Sequence, residues 1–367
     1  MQNKRILYAS PFVPAEWIAA HGLEPYRLFP ASPGQPSPRG RGHWEGLCPF
    51  AQAFAAESAA AQSAAVVFAT TCDQMRRASE LNQAQPEIHS PDEAHTLGSP
   101  PLALGHDAAS QSQEPRAKSQ ERPPVFLFNV PATWRSAQAN ALYREELLRL
   151  GRFLVRLGGV CPTPERLAEV MLRYDNARQT LASRRQTSSA RQSAEALVDL
   201  YQNGPAHPVL PTHSSLLTTH CSARLALLGG PVLREQFGLY DEIERGGARI
   251  VLDATETGER TLPAPFDRER LRNDPLEELA RAYFQHIPDV FRRPNERLYE
   301  WLATELSARR VQGILLLRCV WCDLWHAEAA RLKERLNLPV LELEPSGMAA
   351  ETPRTQVRVQ ALLELFT

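Results

Sequence analysis

Six cysteines are the residues of this chain best suited to chemistry: Cys48, Cys72, Cys161, Cys221, Cys319 and Cys322. A thiolate is a soft ligand for zinc, copper or iron–sulfur clusters, and it is also a nucleophile. The even count is compatible with disulfides. A chain of 367 residues, however, can bury a core without covalent staples. The opening MQNKRILYASPFVPAEW also lacks an apolar export segment and a small-residue cleavage site. In a reducing cytosol such cysteines are buried thiols, metal ligands or catalytic groups. Cys319-Val-Trp-Cys322 is the one C-x-x-C step. A zinc ribbon needs a second such step or a histidine pair, and His326, four residues after Cys322, offers a single partner. A thioredoxin-like pair sits near the start of its fold, whereas this one comes late in the chain.

Charge narrows the classes further. Lys plus Arg total 41 and Asp plus Glu total 42, a net charge of −1, so the basic excess of a nucleic-acid binder is missing. No apolar run approaches the roughly 18 residues that a membrane span needs. The expectation is a soluble, cytoplasmic protein with no nucleic-acid or membrane partner. At roughly 150 residues per domain, the length suggests two domains.

The elements that must position the cysteines follow from periodicity. Short apolar runs at Arg5–Ala9, Val66–Thr70, Val125–Asn129, Arg224–Leu228, Arg249–Leu252, Gly313–Leu317 and Pro339–Leu343 read as strands, several of them buried on both faces. Helical spacing marks Ala15–His21, Pro49–Ala65, Ala137–Leu157, most of 162–202, Val232–Arg245, Asp274–His286, Glu296–Ala308, Trp325–Leu336 and Thr355–Phe366. Strand, helix and strand between 224 and 252 make a βαβ unit, which predicts parallel pairing. Two α/β units therefore bracket a helical middle. Residues 83–124 are rich in Gln, Ser, Pro, His and Glu without apolar periodicity and read as a disordered insertion. The expected organisation is an N-terminal α/β domain from 1–82 and 125–160, a helical segment over 161–215 and a C-terminal α/β domain over 216–367. Open α/β sheets bind ligands beyond the C-terminal ends of their strands. Cys72 and the Cys319/Cys322 pair follow directly on such ends, and Cys48 stands at a helix start, where the dipole favours thiolate.

Motifs spread over the chain carry a family resemblance. They are Pro14-Ala15-Glu16-Trp17-Ile18 with His21-Gly22-Leu23-Glu24-Pro25, Cys48-Pro49-Phe50-Ala51-Gln52, Thr71-Cys72-Asp73 and Asn129-Val130-Pro131 in the first half. Asp175-Asn176-Ala177-Arg178, Leu228-Gly229-Gly230, Gly247-Ala248 with Asp253, Gly313-Ile314-Leu315 with Trp321-Cys322-Asp323, and Thr355-Gln356-Val357-Arg358 follow. In order and spacing the chain resembles the 2-hydroxyacyl-CoA dehydratase/benzoyl-CoA reductase family; the 83–124 stretch has no counterpart. The resemblance implies two Rossmann-like parallel-sheet domains with a [4Fe–4S] cluster between them, held by Cys48, Cys72 and Cys322. Cys319 is extra: it can be a fourth ligand that closes the cluster, or a packed thiol at a strand end. Cys161 and Cys221 match no motif and read as ordinary thiols, although a double-cubane relative would use six cysteines.

The same resemblance implies radical dehydration of a 2-hydroxyacyl-CoA through one-electron reduction of its thioester. It also implies an ATP-hydrolysing iron–sulfur activator protein as electron donor, and a homo- or heterodimer with a related subunit. Alternatives are a benzoyl-CoA-reductase-like or double-cubane-type reductase, a non-catalytic partner subunit, and a zinc-stabilised protein without activity. Glu16 and Asp73 are the candidate catalytic carboxylates. Glu16 also reads as an exposed helix carboxylate, and Asp73 as a helix cap. Asp253 and Glu256 lie just past a strand end, where capping explains them as well as function does. Arg358 can meet a CoA phosphate or form a surface salt bridge.

Overall fold

A computed structural model of the chain describes residues 4–32, 46–83, 122–206, 223–344 and 353–366. Eight strands form two four-stranded sheets. The first contains β1 (Arg5–Tyr8), β2 (Glu24–Arg27), β3 (Ala65–Ala69) and β4 (Val125–Phe128), in the order β2-β1-β3-β4. The second contains β5 (Ala223–Gly229), β6 (Ala248–Ala254), β7 (Gly313–Leu317) and β8 (Val340–Leu343), in the order β6-β5-β7-β8. Every pairing is parallel. The two sheets thus share one topology. In each, the chain leaves the first strand to one side, then returns on its other side. The strand order reverses between β1 and β3, and again between β5 and β7, and such reversals open a crevice at the strand C-termini.

All five residues of β3 and all five of β7 are buried, which is why both read as continuous apolar runs. Helices cover both faces of each sheet. In chain order they are α1 (Ala15–Ala20), α2 (Pro49–Ala60), α3 (Asp73–Gln83), α4 (Ala137–Arg156), α5 (Pro164–Arg184), α6 (Ala190–Asn203), α7 (Gly238–Arg245), α8 (Arg268–Asn273), α9 (Pro275–Ala280), α10 (Glu296–Ala308), α11 (Asp323–Leu336) and α12 (Pro353–Leu363). The largest core joins Tyr8, Phe128 and Val67 to the helical middle (Leu147, Met171, Leu200) and to Leu225 and Leu315 of the second sheet. A second core lies under α2 and α3, and a third under α10 and α11.

The expected α/β class is what the fold shows, and local details differ for local reasons. β2 was not expected, because Pro25 interrupts its pattern; as an edge strand it needs no ladder N–H there. The polar helix α3 was not expected beyond a cap at Asp73, because apolar residues are sparse along it. The single helix expected over Val232–Arg245 is a 3₁₀ turn, Arg234–Phe237, followed by α7. The helix expected over Asp274–His286 is α9 followed by a π-helical stretch, Arg281–Gln285. The stretch expected to be an insertion, 83–124, falls almost wholly outside the described residues.

Candidate functional site

The two switch points face a common cavity of about 320 Å³. Its walls come from the loops after β1 (Ser10, Phe12), β3 (Thr70, Cys72), β5 (Gly230, Pro231), β6 (Glu256) and β7 (Cys319, Cys322), with Cys48 and Phe50 from the start of α2. Four of the six cysteines therefore line one space, two from each half of the chain. They are not spread evenly in burial: Cys48 and Cys319 are buried, and Cys72 and Cys322 are partly accessible.

Each of these sulfurs meets a helix N-terminus. Cys48 is the N-cap of α2, with Pro49 at the first helical position, and the Ala51 N–H donates to its Sγ at 3.4 Å. Its own N–H donates to Gln74 Oε1 at 2.8 Å, which ties α2 to α3. The Met75 N–H of α3 points to the Cys72 sulfur, and the Trp325 N–H of α11 to the Cys322 sulfur. Cys319 sits on no helix of its own, yet the Phe50 N–H of α2 points to it. The ends of α2, α3 and α11 thus converge on the cavity, where free N–H groups and helix dipoles favour negative charge. Between Cys319 and Cys322 the chain turns tightly. The Cys322 N–H donates to the Cys319 carbonyl at 3.1 Å, and Trp321 takes a left-handed φ of 73°. Such a backbone is uncommon outside glycine and clusters at functional sites.

Burial nevertheless opposes ionisation. It pushes the Cys48, Cys72 and Cys322 thiols up, and Cys319 up to about 12. Their neighbours add to this. For every one of the six pairs among the four cysteines, one thiolate disfavours the other. Crowding of four thiols in this way favours their protonated forms. Among the described residues no three His, Cys, Asp or Glu groups converge closely enough for one metal ion. A single zinc would need its sulfurs at roughly 2.3 Å from one point. An iron–sulfur cluster instead takes thiolates around its perimeter, the arrangement a cysteine-lined cavity offers.

The remaining candidates are dispersed. Glu16 is fully buried away from the cavity wall, accepting from Arg178 Nη1 at 2.6 Å and from the Tyr283 hydroxyl at 2.7 Å. Asp73 lies on the cavity rim, its side chain 92% exposed and 3.4 Å from Arg76. Asp253 is buried beneath the β6 loop, where it accepts from the Tyr240 hydroxyl at 2.8 Å and the Thr255 hydroxyl at 2.6 Å. Cys161, His326 and Arg358 are exposed outside the cavity, and Cys221 lies outside the described residues.

Glu256 does line the cavity. Burial first, then the charge of Asp289, pushes its carboxyl up to about 7, against the pull of Arg260 and Arg27. Three residues that shape this wall were not singled out in the sequence. Arg260 is fully buried, donating to the carbonyls of Ala254 at 2.8 Å, Pro288 at 2.7 Å and Gly229 at 3.2 Å, and to Asp289 Oδ2 at 2.6 Å. Arg27 bridges the Ala9 and Glu256 carbonyls, and Asp289 joins the lining. Buried arginines look like any others in an arginine-rich chain, so only Gly258, whose added Cβ would lie 2.2 Å from Asp253 Oδ1, marks this loop as constrained.

A family model described as "2-hydroxyglutaryl-CoA dehydratase, D-component" matches residues 11–366. The chain belongs to this dehydratase family. The match takes in every strand after β1 and all four cavity cysteines. No curated protein sequence matches the chain. Family membership makes the chain a component of a 2-hydroxyacyl-CoA dehydratase-type system, as its motif order implied. No helix among the described residues is long and apolar enough to cross a membrane.

Proposed function

We propose that this dehydratase-family chain is the iron–sulfur component of an enzyme that removes water from a 2-hydroxyacyl-CoA. The observation that carries the reading is the gathering of four cysteines and three helix N-termini around one cavity at the ends of both sheets. Cys48, Cys72 and Cys322 would hold a [4Fe–4S] cluster. When bound, such a group supplies single electrons at low potential, which lets a hydroxyl leave from beside a reduced thioester carbonyl.

The chain's own residues prepare the place. The helix N-termini offset the charge of the thiolates and orient them. Phe12, Phe50, Phe291 and Trp325 keep water from the cavity wall. Asp73, exposed on the rim, would be the carboxylate that serves the reaction. Glu16, locked to Arg178, holds α1 against α5. An ATP-hydrolysing iron–sulfur activator as electron donor, a related second subunit, and a cytoplasmic setting complete the reading.

Anaerobic purification with iron and sulfide analysis tests it. About four irons per chain are expected for one cubane. Cys48→Ala, Cys72→Ala and Cys322→Ala should each lose the iron, while Cys161→Ala keeps it. Zinc without iron would overturn the assignment.

A further inference from the structure

Cys319 is the cavity residue that the three-ligand reading leaves without a task. Its position is not that of a filler thiol. It is 7% exposed, faces the same space as the other three, and interacts electrostatically with each of them. It draws an N–H from Phe50, on the helix end that also serves Cys48. The left-handed Trp321 and the Cys322-to-Cys319 hydrogen bond turn both sulfurs of the C-x-x-C step into the cavity.

The cavity leaves little room for a substrate beside a cluster. At about 320 Å³ it is at the small end of ligand pockets, roughly 300–1,000 Å³, and a cluster must occupy part of it. Among the described residues its lining holds four carboxylates, Asp73, Glu256, Asp289 and Asp323, and no Lys, Arg or His. None of these side chains offers a substrate anion a salt bridge.

Resting on the iron–sulfur reading above, we infer that Cys319 supplies a fourth thiolate that closes the cluster, leaving no iron open to an added ligand. Each of the four thiols releases its proton to solvent on ligation.

The test uses the full chain reconstituted anaerobically with ferrous iron and sulfide, beside Cys319→Ala and Cys161→Ala. Limited ferricyanide oxidation is followed by EPR and iron analysis. A closed cluster should keep all its iron in the wild type and in Cys161→Ala, whereas Cys319→Ala should lose one iron and show a [3Fe–4S] signal. Butyryl-CoA and 2-hydroxybutyryl-CoA should leave the wild-type spectrum unchanged. A folded Cys319→Ala that binds no iron also makes Cys319 a ligand. A wild type that yields the [3Fe–4S] signal as readily as Cys319→Ala, or whose spectrum shifts with the acyl-CoA, overturns the inference and leaves the iron–sulfur reading standing. A wild type that binds no iron overturns both. Should Cys319→Ala fail to fold, the wild-type oxidation and acyl-CoA measurements decide alone.

Discussion

Arg27 Nη2 donates to the Glu256 backbone carbonyl at 2.9 Å, so the edge strand of the first sheet holds the cavity loop of the second. The same guanidinium donates through Nε to the Ala9 carbonyl at 2.9 Å, just past the end of β1. One buried side chain thus sets the spacing of two cavity walls. Arg27→Ala leaves both carbonyls without this partner. A loss of about 2–5 kcal/mol is expected, read from chemical denaturation. Iron loading should fall with it, since two walls shift together. Unchanged stability would mean that the bridge is not formed.

The Glu16–Arg178 pair separates a structural from a chemical role. At 2.6 Å, with both side chains buried, removing one partner strands the other charge. Glu16→Gln or Arg178→Met should each cost about 3–5 kcal/mol, and the double variant less than the sum. Iron bound per folded chain should stay at the wild-type level. A fall in iron with the fold intact would give Glu16 a part in the site itself.

Gly229 is required by geometry. Its φ is +142°, and an added Cβ would lie 1.9 Å from the Leu317 carbonyl oxygen. Only glycine lets β5 approach β7 there. Gly229→Ala should destabilise by at least about 2 kcal/mol. It should also disturb Cys319, two residues beyond Leu317, so iron content drops even in the fraction that folds. Differential scanning calorimetry with iron analysis checks both.

Glu256 makes the metal-free chain sensitive to pH. Its carboxyl stands at about 7 when folded, against about 4.3 in an unfolded chain. Across that interval the folded state keeps a proton that the unfolded state has lost, so stability falls as pH rises from about 4.3 to about 7. Glu256→Gln should flatten this slope and raise stability above neutrality relative to the wild type. Parallel denaturation midpoints for the two proteins across the range would show that the carboxyl is not held as described.

Much of the site was legible before any coordinates. Buried parallel strands announce themselves as apolar runs, and cysteines directly after them, or at a helix start before a proline, already mark positions on the cavity wall. Cys48, Cys72, Cys319 and Cys322 were separable from Cys161 on that basis and by motif. Local signals failed where neighbours decide. Pro25 hid an edge strand, and Asp73 to Gln83 hid a polar helix whose buried face is only Met75, Ala78, Ser79 and Asn82.

The sequence by itself determined the α/β class, the strand ends and the motif order, because each depends on residues close together along the chain. The tertiary structure alone decided which groups meet. Glu16 and Asp73 looked alike as motif carboxylates, yet one is paired with Arg178 across 162 residues and the other faces solvent. Phe50 and Cys319 stand far apart in the chain, yet helix α2 of one half lends its N–H to a sulfur of the other. Such meetings depend on how two sheets of the same topology pack with their switch points face to face, and that packing is set by long-range burial that no local pattern records.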